Sequence, residues 1–176
     1  DSIVTVTQFY YESDYHKQLT MEVTTNNAVT LSTKYRYPDE ILSDTVASAM
    51  LNFHRINQPI ETIRKVNDRV VYASLIENDI YYATYVNDSL TRGLTLPSRI
   101  LELETVSPLS YYQQVRRYWS YDSRLKPEIV IDQYDNFGNV LQLKKPNDLL
   151  TSFIWGYNGS LMTAVTQNAS CNEIYF

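Results

Sequence analysis

Hydrophobic and polar side chains alternate with a period of two along most of this chain, which is the pattern of β-strands with one buried face. The clearest case is residues 29–37, where apolar or aromatic residues and Thr at the odd positions alternate with polar residues. Residues 19–25 are the expected partner strand, because Asn26-Asn27 suits a tight hairpin turn. Pro38 lacks the N–H that a strand neighbour needs and ends the hairpin.

The hydrophobic period changes to that of a helix between residues 43 and 55. Val46, Ala47, Met50, Phe53 and His54 recur there at helical spacing. Ser43 or Asp44 is the expected N-cap. The sequence therefore predicts one short α-helix near 43–55, which ends before Pro59.

Residues 59–105 return to strand-like patterns and predict a β-meander. Turn residues separate the runs, and the expected strands are 59–65, 70–77, 80–86 and 99–105. Asn67-Asp68 and Asn78-Asp79 are the expected turns between the first three. Residues 87–97 are expected to form an irregular or edge segment.

The last third of the chain also predicts strands, at 112–121, 128–133, 140–144 and 152–157. Residues 134–139 form a turn in which Gly138 suits a left-handed backbone, and residues 145–150 form a second turn. We expect 140–144 and 152–157 to pair as antiparallel strands. The predicted fold class is mainly β, an antiparallel sheet of hairpins and a meander with one short helix.

Composition supports this assignment and narrows the function. The chain has 176 residues, the size of one domain, and we expect residues 1–176 to form a single β-rich domain. Its 16 tyrosines favour sheets, and a net charge of −5 with scattered basic residues argues against nucleic-acid binding. No apolar run is long enough to span a membrane as a helix.

Candidate chemistry is sparse in this sequence. The two histidines are far apart with no cysteine cluster, Cys171 is the only cysteine, and four glycines allow no phosphate-binding loop. We therefore expect no metal site, no cofactor and no catalytic residue.

A degenerate internal repeat is visible. Tyr134-Asp135 is followed by Gly138-Asn139, then by Leu141 and Leu143, and after a turn by the aromatic-x-aromatic sequence Phe153-Ile154-Trp155 with Gly156-Tyr157. An earlier copy runs from Tyr11-Glu12 to Tyr35-x-Tyr37, and a partial third copy contains Tyr121-Asp122. Asp in such a turn bonds nearby backbone amides, and Tyr packs its ring against the neighbouring hairpin, so both residues have structural roles.

These motifs resemble the YD-repeat family, also called Rhs (rearrangement-hotspot) repeats, most specifically over residues 128–165. The resemblance implies hairpin repeats, here at 3–37 and 110–165, that flank the helix and the 59–105 meander. It also implies a secreted or surface-anchored bacterial protein, of which this chain is a segment whose partners are neighbouring repeats, other surface proteins or glycans. Tyr-Glu in the first copy, and the absence of Tyr-Asp from 66–105, depart from the family pattern.

The expected function is a non-catalytic structural or interaction segment, and two alternatives stay open. One is a carbohydrate-binding module, in which an exposed aromatic platform is formed by Tyr118, Trp119, Trp155 and Tyr157. The other is a glycoside hydrolase-like enzyme, since Glu102 and Glu104 would project about 7 Å apart from one strand face. The alternation of residues 101–105 explains these glutamates equally as the solvated face of a strand.

Overall fold

The computed structural model describes residues 4–41, 44–85 and 88–174. Ten strands form one antiparallel sheet, and each strand lies beside its neighbours in sequence, so the strand order is β1 to β10. The fold is mainly β, as predicted. No helix in the described part of the chain is long and apolar enough to cross a membrane.

The strands vary widely in length. They are β1 (Val6–Tyr10), β2 (Met21–Asn26), β3 (Val29–Arg36), β4 (Glu61–Val66), β5 (Arg69–Tyr85), β6 (Asp88–Leu109), β7 (Lys126–Tyr134), β8 (Val140–Lys144), β9 (Thr151–Gly156) and β10 (Leu161–Gln167). The helices are α1 (Thr45–Asn52) and the single turn α2 (Cys171–Ile174), and 3-10 turns cover Pro38–Ile41 and Arg117–Trp119.

The hairpins follow the local sequence closely. β2 and β3 pair as expected, and in the turn between them the Asn26 side chain accepts hydrogen bonds from the backbone N–H groups of Ala28 and Val29. Asn67 and Asp68 both adopt positive φ between β4 and β5, as a tight hairpin turn requires. The predicted pairing of 140–144 with 152–157 is confirmed, since Gln142 lies opposite Ser152.

Helix α1 lies inside the predicted range but is shorter, ending at Asn52 rather than near residue 55. Asp44 is its N-cap, and one carboxylate oxygen accepts from the N–H groups of Val46 and Ala47 at 2.9 and 3.2 Å. The alternative cap, Ser43, lies outside the described residues. His54 adopts positive φ just past the helix, which explains why the helix does not continue through it.

Two predictions in the meander are wrong. Asn78-Asp79 is not a turn, because β5 runs without a break from Arg69 to Tyr85. The segment 87–97 is not irregular or at an edge, because residues 88–97 belong to β6, which lies between β5 and β7; residue 87 lies outside the described residues. The residues of β5 that pair with β4 end at Leu75, so pairing with β6 is what outweighs the turn preference of Asn78-Asp79.

The predicted strand over 112–121 is also wrong, and the hairpin region 110–165 therefore begins only at β7. Residues 111–115 have no regular structure, and a 3-10 turn follows in which Tyr118 has φ 57°. In this segment, acidic side chains accept the backbone hydrogen bonds that a neighbouring strand would otherwise accept. Asp44 accepts from the Tyr118 N–H, and Glu61 accepts from the Val115 N–H.

The chain divides into two compact units, residues 1–76 with 101–126 and residues 77–100 with 127–176. The core of the first unit combines α1 with β4, β5, β6 and the 110–125 segment. Its buried apolar side chains include Ala47, Met50, Ile60, Ala73, Leu75, Leu101, Val115 and Leu125.

A buried carboxylate lies at the edge of this core. Glu61 accepts from the Arg36 guanidinium at 2.7 Å, from the Tyr112 hydroxyl at 2.7 Å and from the Val115 N–H at 3.1 Å. Arg36 also donates to the Val115 carbonyl and to Glu40. Burial, together with the Glu61 charge, holds the pKa of Tyr112 far above its usual range. Because a buried charge is stable only when fully hydrogen-bonded, this network fixes the 110–115 backbone against β3 and β4.

Asp122 closes the other end of the irregular segment. Its carboxylate accepts from the Gln113 and Arg124 backbone N–H groups and from the Arg124 guanidinium at 2.7–2.8 Å. The pKa of Asp122 is held well below its usual range, chiefly by the hydrogen bonds from the Arg124 side chain. The backbone N–H donors lower it further, whereas burial acts in the opposite direction.

Replacing Glu61 tests the buried pair. We expect Glu61→Gln to lower the free energy of unfolding by about 3 kcal/mol, because Arg36 then loses a buried partner charge. Urea unfolding measures the difference. The control is Glu104→Gln on β6, whose side chain is exposed, and we expect a change below about 0.5 kcal/mol there. Equal effects of the two substitutions would contradict this account.

The Asp122 interactions predict a pH dependence. Because the folded-state pKa is lowered, the ionised carboxylate stabilises the fold above the unfolded-state pKa near about 4, and that stabilisation is lost as the pH falls further. The free energy of unfolding should therefore exceed that of Asp122→Asn most at neutral pH, and the gap should narrow between about pH 4 and 2. Urea unfolding of both proteins across this range measures it, and a gap independent of pH argues against the ion pair.

Candidate functional site

The four predicted stacking residues belong to different units. Tyr118 and Trp119 lie in the first unit, and Trp155 and Tyr157 lie in the second. Each pair is therefore described within its own unit.

Tyr118 and Trp119 form a left-handed turn, with φ of 57° and 51°. The Tyr118 ring is 70% exposed and stacks beneath the Arg117 guanidinium, 4.5 Å from the ring centroid. Trp119 is half-buried and packs against the core of the first unit. Tyr118 is thus accessible, whereas much of the Trp119 ring serves packing.

Trp155 lies near the end of β9, and Tyr157 comes directly after its last residue, Gly156. The indole Nε1 of Trp155 donates to the Val140 carbonyl at 2.9 Å, which fixes the ring beside β8. Tyr157 begins the turn to β10 with φ 52°, and its side chain is 76% exposed.

These two residues line a groove of about 360 Å³ in the second unit, which we call the aromatic groove. Two glycines, Gly156 and Gly159, complete a lining whose side chains are those of Asp135, Phe137, Leu141, Trp155, Tyr157 and Asn158. Phe137 was not predicted as a site residue. A bulky aromatic at the tip of a turn, where no core is available, is the signal that marks it.

The repeat's Asp135 builds one wall of the aromatic groove. One carboxylate oxygen accepts from the backbone N–H groups of Phe137 and Asn139, both at 2.8 Å, and the other accepts from the Asn139 side chain at 2.9 Å. The same Asn139 amide donates to the Gly159 carbonyl at 2.7 Å, so it ties the 135–139 turn to the 157–160 turn. Gly138 has φ 87°, which confirms the predicted left-handed position.

Tyr134 anchors the same turn from the buried side. Its hydroxyl donates to the Pro97 carbonyl at 2.6 Å, and its ring meets Tyr81 edge-on at 4.9 Å. Burial, with a smaller contribution from Tyr81, raises the pKa of Tyr134 well above its usual value. The two residues of the Tyr-Asp pair therefore have different structural roles: Tyr134 packs against the sheet, and Asp135 holds the turn backbone.

A second cavity, of about 310 Å³, lies in the first unit beside the 12–16 loop. The Ser13 hydroxyl donates to Asp39 at 2.9 Å, and the Nδ1 atom of His16 accepts from the Gln18 N–H. The opposite ring nitrogen of His16 lies 3.4 Å from Asp39. A serine that donates to a carboxylate, beside a histidine that accepts from backbone, is arranged to fix a loop rather than to activate a nucleophile.

The paired glutamates of the hydrolase alternative have different surroundings. Glu102 accepts from the Tyr72 hydroxyl at 2.9 Å, and Glu104 is exposed. Burial, together with the bond to Glu102, raises the pKa of Tyr72. In the parts of the chain that the structure describes, no group of three or more His, Cys, Asp or Glu side chains is placed to hold a metal ion.

Comparison with known proteins adds no further assignment. No family model matches the chain, and no curated protein matches it significantly. The geometry of the aromatic groove is therefore the basis for the functional argument.

The role of Tyr134 is testable by two substitutions. Tyr134→Ala should lower the free energy of unfolding by about 2 kcal/mol, because the ring leaves a cavity, and Tyr134→Phe by about 1 kcal/mol, because only the hydroxyl bond is lost. Thermal unfolding should show lower melting temperatures in that order. The control is Tyr82→Ala, whose ring is exposed and whose removal should leave the melting temperature nearly unchanged. A Tyr134→Ala protein as stable as the wild type would contradict this role.

Proposed function

We propose that this chain is a non-catalytic structural and interaction segment built from hairpin repeats. The observation that supports it is the strand order, in which ten strands pair with their neighbours in sequence from β1 to β10. Sheets of this kind grow by adding one hairpin after another, which is how repeat proteins build stalks and shells.

The use of the Tyr-Asp residues supports the same proposal. Asp122 and Asp135 each accept from the backbone N–H of the residue two positions later, at 3.0 and 2.8 Å. Both carboxylates are occupied in shaping local backbone, and Tyr134 is occupied in packing. Motif side chains that are used within the fold, as in these two copies, are typical of architecture rather than chemistry, although Tyr11 and Glu12 of the first copy are exposed.

The proposal extends to context through the YD-repeat resemblance. We propose a segment of a larger secreted or surface-anchored bacterial protein, with neighbouring repeats of the same chain as its first partners. Further partners, other surface proteins or glycans, would meet it at exposed side chains. The hydrolase alternative gains no support from Glu102, whose carboxylate is bound by Tyr72.

Hydrogen exchange tests the repeat architecture. Repeat arrays open locally, because each unit contacts mainly its neighbours. We expect Tyr134→Ala to reduce the protection of backbone amides in β7, β8 and β9 by at least about tenfold and to leave β2 and β3 unchanged. Mass spectrometry of exchanged peptides measures this. A uniform loss of protection across both regions would argue for one cooperative domain.

An activity assay tests the non-catalytic part of the proposal. The chain should release no reducing sugar from soluble neutral polysaccharides above a buffer blank. Release that disappears in Glu102→Gln would overturn the proposal in favour of a hydrolase.

A further inference from the structure

The aromatic groove exposes a large part of its aromatic side chains. Phe137 is 59% exposed and Tyr157 is 76% exposed, and Trp155 lies beside them in the same lining. Exposed aromatic side chains gathered in one concave site are typical of ligand contact.

The groove is held in shape before any ligand arrives. Tyr157, Asn158 and Gly159 adopt φ of 52°, 57° and 78°, three successive left-handed residues. Such a backbone is costly for Tyr, and strain of this kind gathers where a side chain must be presented. The Asn139 amide holds the turn through the Gly159 carbonyl, and the Val140 carbonyl holds the Trp155 indole.

Phe137 is also fixed against this turn. A Cβ atom added at Gly159 would lie 2.5 Å from Cδ2 of Phe137, so the ring occupies the space that a side chain there would fill. The Asp135 carboxylate fixes the backbone N–H of Phe137 from the other side. Rings from two turns and one strand therefore line a preformed groove, which reduces the entropy that binding must overcome.

Charge selects the class of ligand. Among the lining residues that the structure describes, Asp135 is the only charged one, and its two oxygens already accept three N–H hydrogen bonds from the turn. Its charge is thus offset by donors that point at it, and none of the described lining residues carries a cationic side chain that would attract an anion. A neutral ligand matches this lining better than an ammonium ion or a phosphate.

We infer that the aromatic groove binds a short neutral saccharide. A pyranose ring has an apolar face of C–H groups that suits the ring faces of Trp155 and Tyr157, and a rim of hydroxyls that suits the polar groups of Tyr157 and Asn158. A volume of about 360 Å³ is at the lower end for a ligand pocket, as a site for one or two sugar units requires. This inference rests on the proposed interaction role and names the ligand class of that role.

The chain offers a matched pair of residues for the test. Tyr157 and Tyr118 are both exposed tyrosines with left-handed backbones, of φ 52° and 57°, but only Tyr157 lines the aromatic groove. Tyr157→Ala should remove the stacking surface, whereas Tyr118→Ala makes the same chemical change at a similar backbone position in the other unit.

Calorimetric titration of the full chain with cellotetraose, xylotetraose, maltotetraose and chitotetraose measures binding. We expect saturable binding of at least one of them, weakened about three- to tenfold by Tyr157→Ala and abolished by Tyr157→Ala with Phe137→Ala. Tyr118→Ala should bind as the wild type does. Circular dichroism and thermal unfolding of each variant establish that loss of binding is not loss of fold.

Three results would overturn the inference. The first is that the wild-type chain binds no tetrasaccharide at 10 mM, which is roughly the weakest affinity worth assigning. The second is that Tyr118→Ala and Tyr157→Ala lose equal affinity for the sugar, and the third is that the chain binds tetramethylammonium but no sugar. None of these affects the hydrogen-exchange test of the repeat architecture, so the two proposals fail separately.

Discussion

A carboxylate without access to water must have its negative charge balanced and its lone pairs occupied, and in the first unit Glu61 imposes this constraint on its surroundings. Arg36 supplies the charge, while Tyr112 and the Val115 N–H supply the remaining donors. The irregular segment after β6 is thereby held in one conformation, although it has no strand neighbour. Core side chains such as Val115 and Leu125 then pack from that segment onto β4 and β5.

In the second unit, side-chain hydrogen bonds likewise hold a backbone segment that has no strand neighbour. Side-chain hydrogen bonds of Asp135 and Asn139 hold the turn backbone, and the turn then positions Phe137 against Gly159. Tyr134 connects this turn to the sheet. The residues that build the repeat therefore also build the aromatic groove, so a scaffold and a binding surface can share one set of interactions.

Sequence patterns predicted the features that depend on neighbours along the chain. The β2–β3 and β8–β9 hairpins, the Asp44 cap and the left-handed Gly138 all follow from a few adjacent residues. The continuous β5 could not be predicted, because pairing with β6 outweighs the turn chemistry of Asn78-Asp79. The 110–125 segment was missed because Glu61 and Asp44, distant in sequence, bind its backbone. The groove was predicted only in part, since Trp155 and Tyr157 are among the predicted residues and Phe137 is not, although its place at the tip of a turn was a signal for it.

The left-handed turns also influence the unfolded chain. Among the described residues, nine that adopt positive φ are not glycine, and they include Tyr, Trp, Asn, Asp and His. Each pays a small conformational cost when folded, but each also samples fewer backbone states than glycine when unfolded. A chain with only four glycines therefore loses less entropy on folding than a glycine-rich chain with the same turns. Part of the stability of this sheet is consequently a property of the disordered polypeptide and leaves no contact in the folded structure.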